Sequence, residues 1–352
     1  MSRMRVAIAG AGIGRQHAAA FAKLPERFDV VALCDPDVER RRAVAAEFSI
    51  RGTTSSFEDL LANDAVDVVD ICTPQSLHFG QAMAALAAGR HVICEKPVVG
   101  SLADCDALMA AERASQRRVM PVFQYRFGVG LQKLLHLVEC GVTGKHFLST
   151  AETTWRRGAA YFATAWRGNL SQAMGGCLLT QAIHAHDALT ITLGDVRKVY
   201  AATATRVNPV QTEDCAAATL TFADGSLATL AVTLGSADDT SRLRFQFEHL
   251  TAQSSLAPYT MTAEPWTWIP ANDAAASRIA DALADFRPRA EGFAGQFERF
   301  HDALTNGGAM PVTLADARTS LELLTALYHS AATGSAVDLP IVATHSAYRG
   351  WS

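Results

Sequence analysis

Met4-Arg5-Val6-Ala7-Ile8-Ala9-Gly10-Ala11-Gly12-Ile13-Gly14-Arg15 is an apolar run that breaks into glycines. Met4 to Ala9 reads as a β-strand, and His17 to Ala22 reads as helix. Strand, glycine turn and helix is the setting in which backbone amides and a helix N-terminus cradle a pyrophosphate. The spacing is imperfect. In G-x-G-x-x-G the third glycine would fall at position 15, where Arg15 stands, and Gly14 comes one residue early. Ala9-x-Ala11-x-x-Gly14 also fits, with alanines as small residues, and an ordinary glycine turn would use the same residues. The neighbouring segments decide between these readings.

Asp29 to Cys34 is a second strand ending at Asp35, 25 residues after Gly10. A carboxylate there can accept both ribose hydroxyls of adenosine and repels a 2′-phosphate, which favours NAD over NADP. Arg40, Arg41 and Arg42 follow, and an arginine could instead pair with that phosphate. Asp35-Pro36-Asp37 also suits a turn and helix cap. Ser55 to Ala62 reads as a capped helix and Val66 to Cys72 as a strand. Thr73-Pro74 and a helix to Ala88 follow, then strand His91 to Cys94, helix Leu102 to Ser115 and strand Val119 to Phe123. This βαβ alternation predicts a parallel, doubly wound sheet. Ligands of such sheets bind beyond the C-terminal strand ends. Gly10 to Gly14, Asp35, Thr73-Pro74 and Glu95-Lys96-Pro97 all fall there, with Arg126 at a further strand end. Lys96 is thereby a candidate proton-transfer group, where alone it would read as a solvated lysine.

Composition bounds the rest. A chain of 352 residues predicts two domains. A net charge of −4 argues against a nucleic-acid surface. Seven cysteines without a CxxC spacing read as reduced thiols of a cytoplasmic protein, not as a disulfide or zinc framework. No apolar run approaches the roughly 20 residues of a membrane span, and no targeting segment is read.

In the second half, Val129 to Glu139 reads as helix and His146 to Trp155 as an alternating strand. Tyr161, Phe162, Trp166 and Arg167 lie in a loop-rich stretch. They suit a sugar face or a nicotinamide and its phosphates, or else simply anchor the loop. A single helix is predicted from Gly176 to Leu193, with Thr180, His184 and Asp187 on one face and His186 turned away. The two histidines therefore do not share a metal, and no metal is expected. Val196–Val207, Asp214–Phe222, Ser226–Leu234, Arg242–His249 and Tyr259–Ile269 read as β runs, followed by helices at Gly292–Thr305 and Leu314–Thr333. Thr219, Thr221, Thr229 and Thr233 would line one sheet face, able to pack on another subunit.

The chain resembles the Gfo/Idh/MocA oxidoreductases. The resemblance rests on Gly10 to His17, Cys72-Thr73-Pro74-Gln75-Ser76-Leu77-His78, Glu95-Lys96-Pro97, Tyr125-Arg126-Phe127, Tyr161-Phe162, Trp166-Arg167-Gly168 and Gly175 to Asp187. It implies an α/β fold: an N-terminal Rossmann domain over residues 1–123, and a second α/β domain over 124–352. The second carries an open, largely antiparallel mixed sheet for substrate binding and for a homodimer or homotetramer. It implies an NAD(P)-dependent dehydrogenase for a secondary alcohol of a sugar, sugar derivative or cyclitol.

Residue by residue, the resemblance makes Lys96, His184 and Thr180 the catalytic set. Lys96 lies near the reacting hydroxyl and His184 exchanges its proton. Gly10, Gly12, Ile13, Gly14, Asp35, Thr73, Pro74, His78, Glu95, Lys96, Trp166 and Arg167 are implied on the cofactor. Arg126 and Tyr161 join Lys96, Thr180 and His184 on the substrate, and a cis bond is expected before Pro97. Thr180 departs from the Asp or Asn common at that position, which puts the proton relay in doubt. An NAD-dependent glycosidase acting by transient oxidation and a dinucleotide-sensing regulator are the competing expectations.

Overall fold

The computed structural model describes residues 3–164 and 166–351. Two compact units emerge. The first runs to Phe123 and takes up Phe293–Thr319 again; the second holds Gln124–Gly292 and the residues from Ser320 onward.

In the first unit the chain alternates β1 (Met4–Ala9), α1 (Gly14–Phe21), β2 (Phe28–Cys34), α2 (Val38–Glu47), β3 (Gly52–Thr54) and α3 (Phe57–Leu61). It continues with β4 (Val68–Ile71), α4 (His78–Ala87), β5 (His91–Cys94), α5 (Leu102–Ser115) and β6 (Val119–Pro121). The six strands are parallel in the order β3-β2-β1-β4-β5-β6, the Rossmann arrangement. All four residues of β4 are buried, as a parallel strand covered on both faces requires. Asp37, Ser56 and Ser101 cap α2, α3 and α5, each accepting a backbone N–H three residues on.

The second unit begins with α6 (Val129–Glu139), β7 (His146–Arg156), α7 (Ala159–Phe162), α8 (Leu170–Ala173), α9 (Cys177–Thr180) and α10 (Ile183–Leu193). Strands β8 (Val196–Ala204), β9 (Cys215–Phe222), β10 (Leu227–Thr233), β11 (Gly235–Phe247), β12 (Leu250–Gln253) and β13 (Thr267–Pro270) follow, then α11 (Asp273–Ala284). After α12 (Gly292–Asn306) come α13 (Leu314–Thr333) and β14 (Val337–Asp338). The eight strands order as β13-β12-β11-β7-β10-β9-β8-β14, antiparallel except for the β7–β10 pair. Burial alternates strictly along the first six residues of β10, so one sheet face is core and the other open. Thr229 lies opposite Thr219 on that open face.

Three expectations need correction. The second domain is not continuous. Helix α12 returns to the first unit, where Phe297 stacks on Phe21 with ring centroids 4.4 Å apart and Phe293 lies 4.6 Å from His17. The run expected over Tyr259–Ile269 is strand only from Thr267, and the partner it pairs with is β12. The single helix expected from Gly176 to Leu193 is two. The Ala182 amide reaches back five residues to the Cys177 carbonyl at 2.9 Å, and α10 starts afresh from there.

Candidate active site

The glycine turn of the first unit has the shape a dinucleotide needs. Gly10 sits at φ +99°, and a Cβ there would lie 2.4 Å from the Cys72 carbonyl oxygen, so only glycine fits. A Cβ on Gly12 would point into open space, leaving the backbone approachable. Among the described residues no side chain caps α1, and its Arg15 and Gln16 amides turn back to the Gly12 and Ile13 carbonyls at 3.4 and 2.8 Å, so the turn itself is the approachable backbone. Asp35, buried at the end of β2, accepts from Ala11 N at 2.7 Å and Asp37 N at 2.8 Å. That fixes its carboxylate beside the turn. Arg40 lies 3.6 Å from it and 3.0 Å from Asp37, so this guanidinium is already neutralised. These residues fit NAD: an approachable glycine turn at the start of a helix for the pyrophosphate and a fixed carboxylate for the ribose.

Behind the turn lies a buried network. His17 is fully buried, with Nδ1 2.9 Å from Asp70 Oδ2 and Nε2 3.1 Å from Glu95 Oε1. Both ring nitrogens face carboxylates, so both donate and the ring is an imidazolium. Burial is the largest single effect and opposes that charge, but Asp70 and Cys72 together outweigh it, and His17 titrates well above its ordinary value. Cys72 Sγ is 3.3 Å from the same Nδ1. His17, Asp70 and Cys72 are grouped closely enough to ligate a metal, yet they are joined to one another by hydrogen bonds. The network holds Glu95 Oε1, while Glu95 Oε2 accepts the Lys96 amide at 3.1 Å. Lys96 is half-buried at the end of β5, and its peptide bond to Pro97 is cis. Burial lowers the Lys96 ammonium from its ordinary value, with Glu95 opposing.

His78, expected on the cofactor, is buried, with its ring 2.8 Å from the Pro97 carbonyl and 2.9 Å from the Thr73 carbonyl. It braces the two loops that carry Thr73-Pro74 and Lys96-Pro97. The sequence reading missed this tie and the His17 network, because both join residues distant along the chain.

In the second unit, Tyr161, Trp166, Arg167, Thr180 and Gln181 line one cavity with Gly175 and Gly176. The Arg167 guanidinium lies 4.1 Å from the centre of the Tyr161 ring, a cation–π geometry. His184, at the start of α10, stacks on Tyr125 with ring centroids 4.3 Å apart and planes 14° off parallel. Arg126 was expected on substrate. It is buried and forks onto Asp187, with Nε to Oδ2 at 2.7 Å and Nη2 to Oδ1 at 2.6 Å. Asp187 braces α10 through this pair. Glu213, not anticipated from sequence, accepts from Gly176 N at 2.8 Å, Leu178 N at 3.0 Å and Tyr328 Oη at 2.8 Å. It seats the start of α9, where a Cβ on Gly176 would lie 1.9 Å from the Glu213 carbonyl oxygen.

His186 keeps its structural reading, at a cost. It is buried, and neither ring nitrogen has a hydrogen-bond partner among the described residues. Burial lowers its pKa to about 3. The unfolded chain, near 6.5, takes up the proton first as pH falls, so stability is lost between pH 6.5 and about 3. We expect the loss of unfolding free energy between pH 7 and pH 4, read from urea titrations, to be smaller in His186→Leu than in the parent, by up to about 3 kcal/mol. An unchanged difference would contradict the neutral, buried state.

Residues 4–123 match the oxidoreductase family's NAD-binding Rossmann fold, and residues 131–252 match the GFO/IDH/MocA C-terminal domain. The chain belongs to the Gfo/Idh/MocA oxidoreductase family. Its first unit is the family's NAD-binding Rossmann fold, and sugar and inositol dehydrogenases stand among its relatives. The uncharacterized oxidoreductase YrbE of Bacillus subtilis is 31% identical over 63% of this chain and 65% of its own length. The D-glucoside 3-dehydrogenase of Escherichia coli is 29% identical over 55% of each. The chain thus spans less than two thirds of these two relatives. The WlbA dehydrogenase of Bordetella pertussis, solved with NADH and UDP-GlcNAcA, superposes with a TM-score of 0.85. It is 27% identical, over 97% of this chain and 100% of that one.

Proposed function

We propose that this Gfo/Idh/MocA protein is an NAD-dependent dehydrogenase of a secondary alcohol in a sugar, sugar derivative or cyclitol. The observation that carries the reading is Lys96. Its ammonium is lowered by burial at the end of β5, in the unit whose glycine turn and Asp35 fit NAD. NAD, when bound, supplies the hydride acceptor. Lys96 hydrogen-bonds the reacting oxygen and lowers the cost of alkoxide character. His184, held by its stack on Tyr125, takes the hydroxyl proton. Tyr161 and Thr180 hold the sugar, and Trp166 and Arg167 serve the cofactor. The sugar named with D-glucoside 3-dehydrogenase and the sugar nucleotide solved with WlbA support this substrate class.

The test is a panel of monosaccharides, sugar acids, inositols and glycosides with NAD⁺ or NADP⁺, followed at the reduced-nicotinamide absorbance. A rise with NAD⁺ and one polyol class is expected. Silence across the panel with tight NAD binding would overturn the reading. We further propose a cytoplasmic, self-associating protein. All seven cysteines are free, and Tyr200 and Leu227 stand about half exposed on β8 and β10 of the open sheet. Sedimentation should give a dimer or tetramer; a monomer at micromolar concentration contradicts the association.

A further inference from the structure

Gly175, Gly176 and Thr180 line the second unit's cavity, and the side chains that hold this wall stand outside the lining. Glu213 takes the Gly176 and Leu178 amides on its two carboxylate oxygens, and the Cys177 amide, at 3.0 Å, on its backbone carbonyl. These are the first orphan donors of α9, whose last residue is Thr180. The Tyr328 hydroxyl bonds Glu213 Oε1, and a Cβ on Gly175 would lie 2.5 Å from that hydroxyl oxygen. The Trp351 ring stacks on Tyr328, with centroids 5.3 Å apart and planes 18° off parallel. Its indole Nε1 donates to the Met174 carbonyl at 2.7 Å. An indole N–H and a backbone amide can only donate, so the directions of these bonds are fixed.

Met174 needs such support. It closes α8 at φ +57°, in the left-handed region that a residue with a Cβ seldom adopts. A residue held there persists only where its surroundings over-determine it. Trp351 arrives on a strap that runs along α13. The Ile341 amide donates to Glu322 at 2.9 Å, and His345 meets His329 edge-on at 4.7 Å. Ala347 is buried in a single 3₁₀ turn over Ser346–Arg349. Glu322, Tyr328 and His329 all belong to α13. The strap therefore has anchors of its own before Trp351, and Trp351 carries it on to the cavity wall.

We propose that Trp351 is a positioning residue for the cavity. It clamps Met174 directly and α9 through Tyr328 and Glu213, so that the wall from Gly175 to Thr180 keeps one shape. The consequence for substrate rests on the dehydrogenase reading, in which Tyr161 and Thr180 hold the sugar; the clamp itself does not.

Hydrogen exchange of the ligand-free protein tests the clamp. In Trp351→Ala the Gly176, Cys177 and Leu178 amides should exchange at least about tenfold faster, the size of one hydrogen bond and one ring pair lost together. The Ile341 amide and the amides of α6 should keep the parent's rates. Trp351→Phe keeps the ring pair and should fall between the parent and Trp351→Ala. Unchanged exchange at residues 176–178, or a rise shared by α6, overturns the clamp. With NAD⁺ and each panel polyol that the parent oxidises, Trp351→Ala should raise KM about tenfold and lower kcat less than threefold, as when binding common to ground and transition states is lost. A kcat loss larger than the KM rise, or no change in either, overturns the substrate role. Faster exchange at residues 176–178 with no polyol oxidised by the parent would sink the dehydrogenase reading alone.

Discussion

Lys96→Met should lower kcat by about three orders of magnitude or more while NAD affinity stays within about tenfold. Methionine keeps the length and apolar stem of lysine but has no proton to offer. If Lys96 stabilises charge on the reacting oxygen, its loss falls on the transition state. Removing one such donor typically costs 10²–10³-fold, and loss of proton transfer adds to that. The ground state should suffer little. Glu95 is held by His17 and by the Lys96 backbone amide, neither of which the substitution removes. The measurements are steady-state kinetics on whichever polyol the panel selects and a fluorescence titration with NADH. A kcat within tenfold of the parent would remove Lys96 from the site. A large loss of NADH affinity would mean that the lysine serves the cofactor instead.

The residues around Lys96 were legible in the sequence for a physical reason. Parallel strands covered on both faces must be continuous apolar runs, so β1 and β5 stand out, and each ends in a glycine or a charge. The helices Leu102–Ser115, Val129–Glu139 and Leu314–Thr333 have the expected bounds. What escaped was set by partners far along the chain. The break between Thr180 and Ile183 has no glycine or proline to mark it. It is made by Glu213 and Gly176 seating α9 and by the wide turn from Ala182 to Cys177. The return of α12 depends on Phe293 and Phe297 meeting His17 and Phe21, a contact that no local periodicity encodes. Likewise Arg126 ends a predicted strand and so reads as cleft-facing, but its partner Asp187 lies 61 residues on.

That pair carries the largest stability effect we expect outside the cofactor-binding unit. Both side chains are buried, at 7% and 2% exposure, and they meet in a two-bond fork. Arg126→Met leaves the Asp187 carboxylate buried without its cation, which should cost about 3–5 kcal/mol. Arg126→Met/Asp187→Leu removes both charges and fills similar volume, so most of that loss should return. Urea unfolding of the two variants, followed by near-ultraviolet dichroism of the second unit's tryptophans, measures the difference. Activity should not follow stability. Asp187 lies one turn after His184 on α10, and Arg126 follows Tyr125, the ring on which His184 stacks. The fork therefore sets the rotation of α10 against Tyr125 as well as holding it. The double variant should regain its fold yet remain below the parent in kcat, with the loss greatest where His184 must be neutral to accept a proton. A single variant within 1 kcal/mol of the parent would mean that Asp187 does not depend on Arg126. A double variant with full activity would mean that the fork stabilises the unit without positioning His184.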